Sequence, residues 1–330
     1  MQTTRIPGTD LEVSRIALGT WAIGGWMWGG TEERRSIDTI HAAIDRGVTL
    51  IDTAPVYGFG TSEKIVGKAL AEHDKGDAIR LSTKVGLEWD DDGAIRRNAS
   101  GERIAREIED SLERLGRDQI DIYHVHWPDP TRPVEETARA MRRLLDQGLI
   151  GNVGVSNFTG DQMERFRAEC PINVCQPPYN IFERGIESSI KPYCEHNAVA
   201  LMTYGVLCRG LLTGKMTVDA SFEGDDLRNN DPKFAQPRYG QYLRAVEQLQ
   251  DYADKQFGRS LLDFSIRWVL EMGTPIAIWG GRRPEQMEPL DRLFDWTLDG
   301  AALAAVDSIL AEAVKDPVGP EFMAPPTGLV

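Results

Sequence analysis

Four side chains in the sequence are of types that do acid-base chemistry on small molecules: Asp52, Tyr57, Lys84 and His126. Asp52 and Tyr57 lie close together in "DTAPVYG", Lys84 closes "STK", and His126 sits in "HVHWPD". A tyrosine is a weak acid, with a reference pKa of about 10, and an adjacent ammonium favours the phenolate and lowers that value. Lys84 is the candidate for that charge, and Asp52 for holding Lys84 protonated and in place. A neutral His126 is the candidate donor of a hydrogen bond to a carbonyl oxygen. This set describes proton donation to an oxygen becoming an alkoxide, which suits carbonyl reduction with hydride from a cofactor. Singly, each has an ordinary reading: a turn cap, a half-buried ring, a surface charge and a core histidine. The chemistry exists only if the fold brings the four to one place.

The elements that must do so are legible as short β-rich runs separated by amphipathic stretches. The runs are "IALGT" (16–20), "VTLIDTA" (48–54), "AIRLSTK" (78–84), "QIDIYHVHW" (119–127), "IGNVGVSN" (150–157), "INVCQ" (172–176), "VALMTYG" (199–205) and "PIAIWGG" (275–281). Between them lie segments such as "TEERRSIDTIHAAIDRG", with Ile37, Ile40 and Ile44 on one face and Gly47 as the stop. Strand-helix alternation implies parallel strands. Eight such units without a central linker rich in Pro, Gly or Ser predict a single (β/α)8 barrel domain over residues 1–330, rather than two doubly wound domains. Reactive groups in such a barrel belong at the C-terminal ends of strands, where Asp52, Lys84 and His126 fall, with Tyr57 on the following loop. "TTRIPGTDLEVS" is expected to form a hairpin closing the barrel bottom, and residues 216–238 a mobile loop over the top face.

Composition narrows the partners. The chain has 330 residues, 41% of them hydrophobic, and a net charge of -14, which argues against nucleic acid or an anionic membrane as a partner. No apolar run approaches the ~20 residues that span a bilayer, and "MQTTRIPGTD" lacks the regions of a signal peptide, so a cytoplasmic protein is expected. Cys170, Cys175, Cys194 and Cys208 contain no CxxC pair and are expected as reduced, buried thiols.

Other motifs are weaker. "GFGTSE" (58–63) nearly spells a dinucleotide-binding glycine loop, but Glu63 replaces the last glycine. "GVSNF" has Phe158 where a nucleophile elbow needs glycine. His124 and His126 are spaced to face one way on a strand, which raises a metal-dependent barrel hydrolase as an alternative. Only His196 follows, at the end of a predicted helix, so no metal ligands are assigned and His124 is read as a core or supporting residue. "WAIGGWMWGG" (21–30) packs three tryptophans among glycines that disfavour helix and strand, which places the rings on a loop.

The ordered series "DTAPVYG", "STK", "HVHWPD", "GVSNF", "QPPYN" and "YGVLCRGLLTGK" resembles successive motifs of the aldo-keto reductases, over nearly the whole chain. "GTWAIGGWMWGG", "DTAPVYGFG", "NDPKF" and "FMAPP" are similar to the bacterial branch that includes glycerol and glyceraldehyde dehydrogenases. The resemblance implies an NADP(H)-dependent oxidoreductase on a (β/α)8 barrel that binds its nicotinamide without a Rossmann fold. It would reduce aldehydes or ketones and run the reverse on small alcohols or polyols, with small polar aldehydes such as glyceraldehyde as expected substrates.

By the same resemblance Tyr57 is the proton donor, Lys84 its pKa-lowering partner, Asp52 the partner of that lysine, and His126 the group that orients the carbonyl. Ser156, Asn157 and Gln176 match positions that hold the carboxamide, and Tyr204 the ring that stacks on the nicotinamide. Gly19, Thr20 and Trp21 match positions beside it, and Asp52 also borders the cofactor. Gly205 stands where serine is common, so pyrophosphate contacts are expected from the backbone around Leu207, Arg209 and Gly210. The adenosine end matches "WGGRRPEQMEPL", with Gly280, Gly281, Arg282, Arg283 and Gln286 as cofactor residues. The arginine pair suits a 2′-phosphate, favouring NADPH over NADH. Pro289 and Leu290 replace the Glu and Asn often found there. The substrate pocket is expected from Trp28, Tyr57, His126 and Trp127, with Trp26 packed beneath. The expected partner is a small carbonyl or alcohol, and since many relatives are monomers a monomer is favoured. Potassium-channel β-subunits share this fold, so a cofactor-sensing binding subunit stands as the alternative.

Overall fold

The computed structural model describes residues 1–327. In chain order the strands are β1 (Thr3–Arg5), β2 (Glu12–Ser14), β3 (Ile16–Gly19), β4 (Leu50–Asp52), β5 (Arg80–Val85), β6 (Leu87–Trp89), β7 (Ile95–Arg97), β8 (Ile120–Val125), β9 (Ile150–Ser156), β10 (Val174–Gln176), β11 (Ala200–Thr203) and β12 (Ile276–Gly280). The eight strands β3, β4, β5, β8, β9, β10, β11 and β12 pair in that circular order, all parallel, and close a barrel. They are the eight predicted runs. Most are shorter than their runs, because residues such as Thr53–Ala54 and Tyr204–Gly205 leave the ladder to enter the loops of the mouth.

The helices α1 (Glu33–Asp45), α2 (Thr61–Glu72), α3 (Gly101–Leu115), α4 (Val134–Asp146), α5 (Gly160–Arg167), α6 (Ile190–His196), α7 (Arg238–Phe257), α8 (Leu261–Glu271) and α9 (Gly300–Ala313) accompany the barrel. α1 buries Ile37, Ile40 and Ile44, the predicted face. α3 starts at Ser100, whose Oγ accepts the Arg103 amide, and α5 starts with a Thr159–Gln162 capping box. β1 and β2 form the expected antiparallel hairpin. Its Ile6 and Val13 pack with Ala17, Leu50, Ile122 and Ile276, so the barrel is plugged by aliphatic side chains.

Residues 216–238, expected as a loop over the top face, make contacts with the rest of the mouth. Leu227 N donates to Met27 O at 3.1 Å, Met27 N donates to Asp225 Oδ2 at 2.8 Å, and Arg209 Nε donates to Asp231 Oδ2 at 2.8 Å. The hairpin of β6 and β7 is absent from the sequence reading. It is tied to the C-terminal segment, since Arg97 Nε donates to Pro325 O at 3.0 Å. All four cysteines are buried free thiols. No helix among the described residues is long and apolar enough to cross a membrane.

Candidate active site

Register decides which side chains meet at the mouth. Asp52 on β4 stands beside Gly19 on β3 and Ser82 on β5, Lys84 on β5 beside His124 on β8, and Ser156 on β9 beside Gln176 on β10. Asp52 and Lys84 are buried, and their charges meet across 2.7 Å between Lys84 Nζ and Asp52 Oδ2. Lys84 also donates to Thr53 O at 2.8 Å, while Asp52 Oδ1 accepts from Ser82 Oγ at 2.8 Å and Gln176 Nε2 at 2.9 Å. Two of the three ammonium protons and both carboxylate oxygens are thereby hydrogen-bonded, which offsets much of the cost of burying the pair. Burial lowers the Lys84 pKa, with Asp52 acting in the opposite direction.

Tyr57 sits on the loop after β4, where two glycines bring two loops into contact. A Cβ on Gly24 would lie 2.5 Å from the Tyr57 carbonyl, and one on Gly58 would lie 2.0 Å from Gly24 O. Gly58 also has φ 66°, which any larger residue adopts at a cost. The tryptophan loop can therefore press against the backbone of Tyr57. Trp21 stacks on the Tyr57 ring with centroids 5.8 Å apart at 17°, and Trp28 meets Trp21 edge-on at 5.8 Å. His126 presents its ring to Tyr57 at 6.0 Å and 83°, and the Arg97 guanidinium lies over Trp127, 5.0 Å from the ring centroid. Trp26 packs on Phe59 at 5.5 Å, the packed role expected of it.

Lys84 is expected to lower the Tyr57 pKa, and in this site burial and the charge of Asp52 act against it. Lys84 Nζ lies 5.0 Å from the Tyr57 ring centroid, with its hydrogen bonds directed to Asp52 and Thr53. Burial pushes the phenol well above its ordinary value, and the charge of Asp52 pushes it the same way. The tyrosine is thus kept protonated. His126 is held well below its ordinary pKa by burial and then by the charge of Lys84, so it is the neutral imidazole the sequence reading requires. His124 is held neutral for the same reasons, with its ring against Gly154, where a Cβ would lie 2.1 Å from Nδ1. Among the described residues no group of three or more His, Cys, Asp or Glu is placed to hold a metal.

Beside Asp52 runs an uncharged strip. Ser156 Oγ donates to Gln176 O at 2.7 Å, Asn157 Nδ2 donates to Ser156 Oγ and His126 O at 3.0 Å each, and Tyr204 OH donates to Asn157 Oδ1 at 2.9 Å. Asn157 takes φ 61° to do this. An amide floor bordered by a phenol ring, with a lone pair left on Asn157 Oδ1, fits a flat ring bearing a carboxamide. Thr20 Oγ1 donates to Asp52 O at 2.9 Å, which ties the start of the tryptophan loop to the end of β4.

Beyond Tyr204 the chain turns tightly through Gly205 (φ 69°), Cys208 (φ 47°), Arg209 (φ 53°) and Gly210 (φ 90°). Gly210 N already donates to Leu207 O at 2.9 Å, so its amide closes the turn. The Arg209 side chain points into a buried ion cluster with Glu183, Asp231 and Lys233. Burial pushes the Glu183 carboxyl up, but Arg209 and Lys233 overcome it and hold the pKa at about 2. After Gly280 and Gly281, Gln286 Oε1 accepts the amides of Arg282 (2.7 Å) and Arg283 (3.0 Å), which shapes the turn expected at the adenosine end. Leu290 is buried in the core, which explains an apolar residue there.

The sequence reading misses Ser82, Thr53 and the Arg209 cluster. Serine and threonine in a β-rich run carry no signal by type, and the cluster joins residues far apart in the chain. "NDPKF" was noted as a motif, yet nothing local showed that Asp231 and Lys233 turn inward.

Residues 15–311 match the aldo/keto reductase family. The chain is 54% identical over 328 residues to the aldo-keto reductase YhdN of Bacillus subtilis, covering 99% of each. It is 34% identical over 294 residues to the NADH-specific methylglyoxal reductase of Escherichia coli, covering 84% of this chain and 89% of that protein. Among solved structures, the glycerol dehydrogenase AKR11B4 of Gluconobacter oxydans matches with a TM-score of 0.88 at 49% identity, covering 98% of this chain and 99% of that one.

Proposed function

Because the chain belongs to the aldo/keto reductase family, we propose that it is an NADP(H)-dependent reductase of small polar aldehydes and ketones, such as glyceraldehyde, able to oxidise the matching alcohols or polyols. The observation that carries this reading is the Tyr57 phenol, kept protonated beside a buried Lys84–Asp52 pair and edged by a neutral His126.

The nicotinamide, when bound along the strip of Ser156, Asn157, Gln176 and Tyr204, supplies the hydride. The chain's own residues do the rest. Tyr57 Oη gives its proton to the carbonyl oxygen as that oxygen gains charge. Lys84 stabilises the phenolate left behind, and Asp52, fixed by Ser82 and Gln176, keeps Lys84 in place. His126 directs an N–H at the same oxygen and orients the carbonyl. Trp21, Trp28 and Trp127 wall the pocket with apolar surface and exclude water.

NADPH is preferred in this reading because Arg282 and Arg283 offer charge-assisted donors to a 2′-phosphate. The test is steady-state turnover of glyceraldehyde, methylglyoxal, aromatic aldehydes and glycerol with both cofactors. Turnover of short aldehydes with a lower KM for NADPH than for NADH is expected. Binding of NADPH without turnover of any of them favours the cofactor-sensing subunit instead.

A further inference from the structure

Arg282 is committed to a second task. Its NH1 donates to Trp28 O and its NH2 to Gly30 O, both at 2.6 Å, so the turn after β12 grips the tryptophan loop after β3. Gly29 and Gly30 both take positive φ and offer no side chain that could anchor this segment. The loop is also held by Asp225 and Leu227 on Met27, by Arg228, whose guanidinium lies 5.8 Å from the Trp28 ring centroid, and by the ring packing of Trp21, Trp26 and Trp28 described above. Arg283, Arg228 and Arg35 repel Arg282, and Asp226 attracts it. A dianion arriving in this cationic pocket would draw the guanidinium toward itself; Arg282 keeps three further N–H groups, so the loop carbonyls lose their donors when the phosphate pulls the NH1–NH2 edge off them.

We propose that Arg282 is a positioning residue for the substrate loop, and that a 2′-phosphate recruits it from Trp28 and Gly30, so that the phosphate at the far end of the cofactor is felt at the substrate pocket. The second half rests on the cofactor reading given under Proposed function. The first half needs no cofactor.

Amide hydrogen exchange of the full chain, read by mass spectrometry, separates the two. In cofactor-free protein Arg282→Ala is expected to speed exchange across 25–30 by about tenfold, while α2 exchanges at the wild-type rate. In the wild type, at equal saturation, that segment should exchange faster with NADP+ than with NAD+. Kinetically, Arg282→Ala assayed with NADH, which lacks the 2′-phosphate, should raise the KM for the carbonyl substrate by about tenfold with little change in kcat. Wild-type exchange in Arg282→Ala overturns the positioning role, and equal exchange with the two cofactors overturns the recruitment. If NADP+ does not bind at all, the cofactor preference and the recruitment fall together, while Arg282→Ala still decides the positioning role.

Discussion

The ammonium of Lys84 lies 5.0 Å from the centroid of the Tyr57 ring, near enough to act on the phenol's charge yet hydrogen-bonded to Asp52 and Thr53. Tyr57 is therefore an acid at rest, and the lysine's influence matters once a proton has left. The arrangement separates holding the proton, which burial does, from tolerating its loss, which Lys84 does.

The pair that supports this should show in stability. Lys84→Met leaves Asp52 charged and buried without its counter-ion and should cost about 3 kcal/mol. Adding Asp52→Asn, which keeps acceptor capacity for Ser82 and Gln176, should recover about 2 kcal/mol of that. Urea unfolding of the two single variants and the double variant measures the coupling, and additive losses would contradict a paired origin.

Stability should also fall with acid in two separable steps. His124 is buried with its pKa well below 6.5, so below that pH the unfolded chain binds a proton the folded chain does not, and stability drops as pH falls. The slope is about 1 kcal/mol per pH unit for each such histidine, and since His126 is held low by the same causes, His124→Asn should remove about half of it between pH 6.5 and 5. Glu183 behaves oppositely in origin: its pKa is depressed from 4.5 to about 2, so it stabilises the fold above pH 4.5 and that contribution is lost as pH falls toward 2. Glu183→Gln should remove this lower step alone, as read by thermal unfolding across the pH range.

The tryptophan loop should govern preference more than folding. Trp28 is half-buried, packs edge-on against Trp21, and has no hydrogen-bond partner for its indole N–H. Trp28→Ala should shift the ratio of kcat/KM for glyceraldehyde over an aromatic aldehyde by about tenfold, with Tm falling by less than about 4 °C. A drop in Tm with the ratio unchanged would make the ring a core residue.

Much of this was legible in the sequence, and the reasons differ by residue. Asp52, Lys84 and His126 could be placed because strand ends converge at a barrel mouth, so finding the strands located the residues. Ile37, Ile40 and Ile44 announced a helix face by spacing alone. Tyr57 was readable as the acid, but the upward push on its pKa was not, since charge type was visible in "STK" while burial of the phenol was not. Arg282 was readable as a phosphate ligand, but its grip on Trp28 O and Gly30 O joins residues more than 250 positions apart, with backbone acceptors that carry no sequence signature. The three-residue strands β6 and β7 were too short to announce themselves by alternation.

The proton donor is the centre of the account, and single-turnover reduction by Tyr57→Phe tests it directly. The substitution keeps the ring that stacks on Trp21 and removes only the hydroxyl. The rate of glyceraldehyde reduction at saturating NADPH is expected to fall by about a thousandfold, with the dissociation constant for NADPH unchanged within about twofold. Reduction retained to within about tenfold of the wild type, with the cofactor bound as before, would contradict the assignment of Tyr57 as the acid.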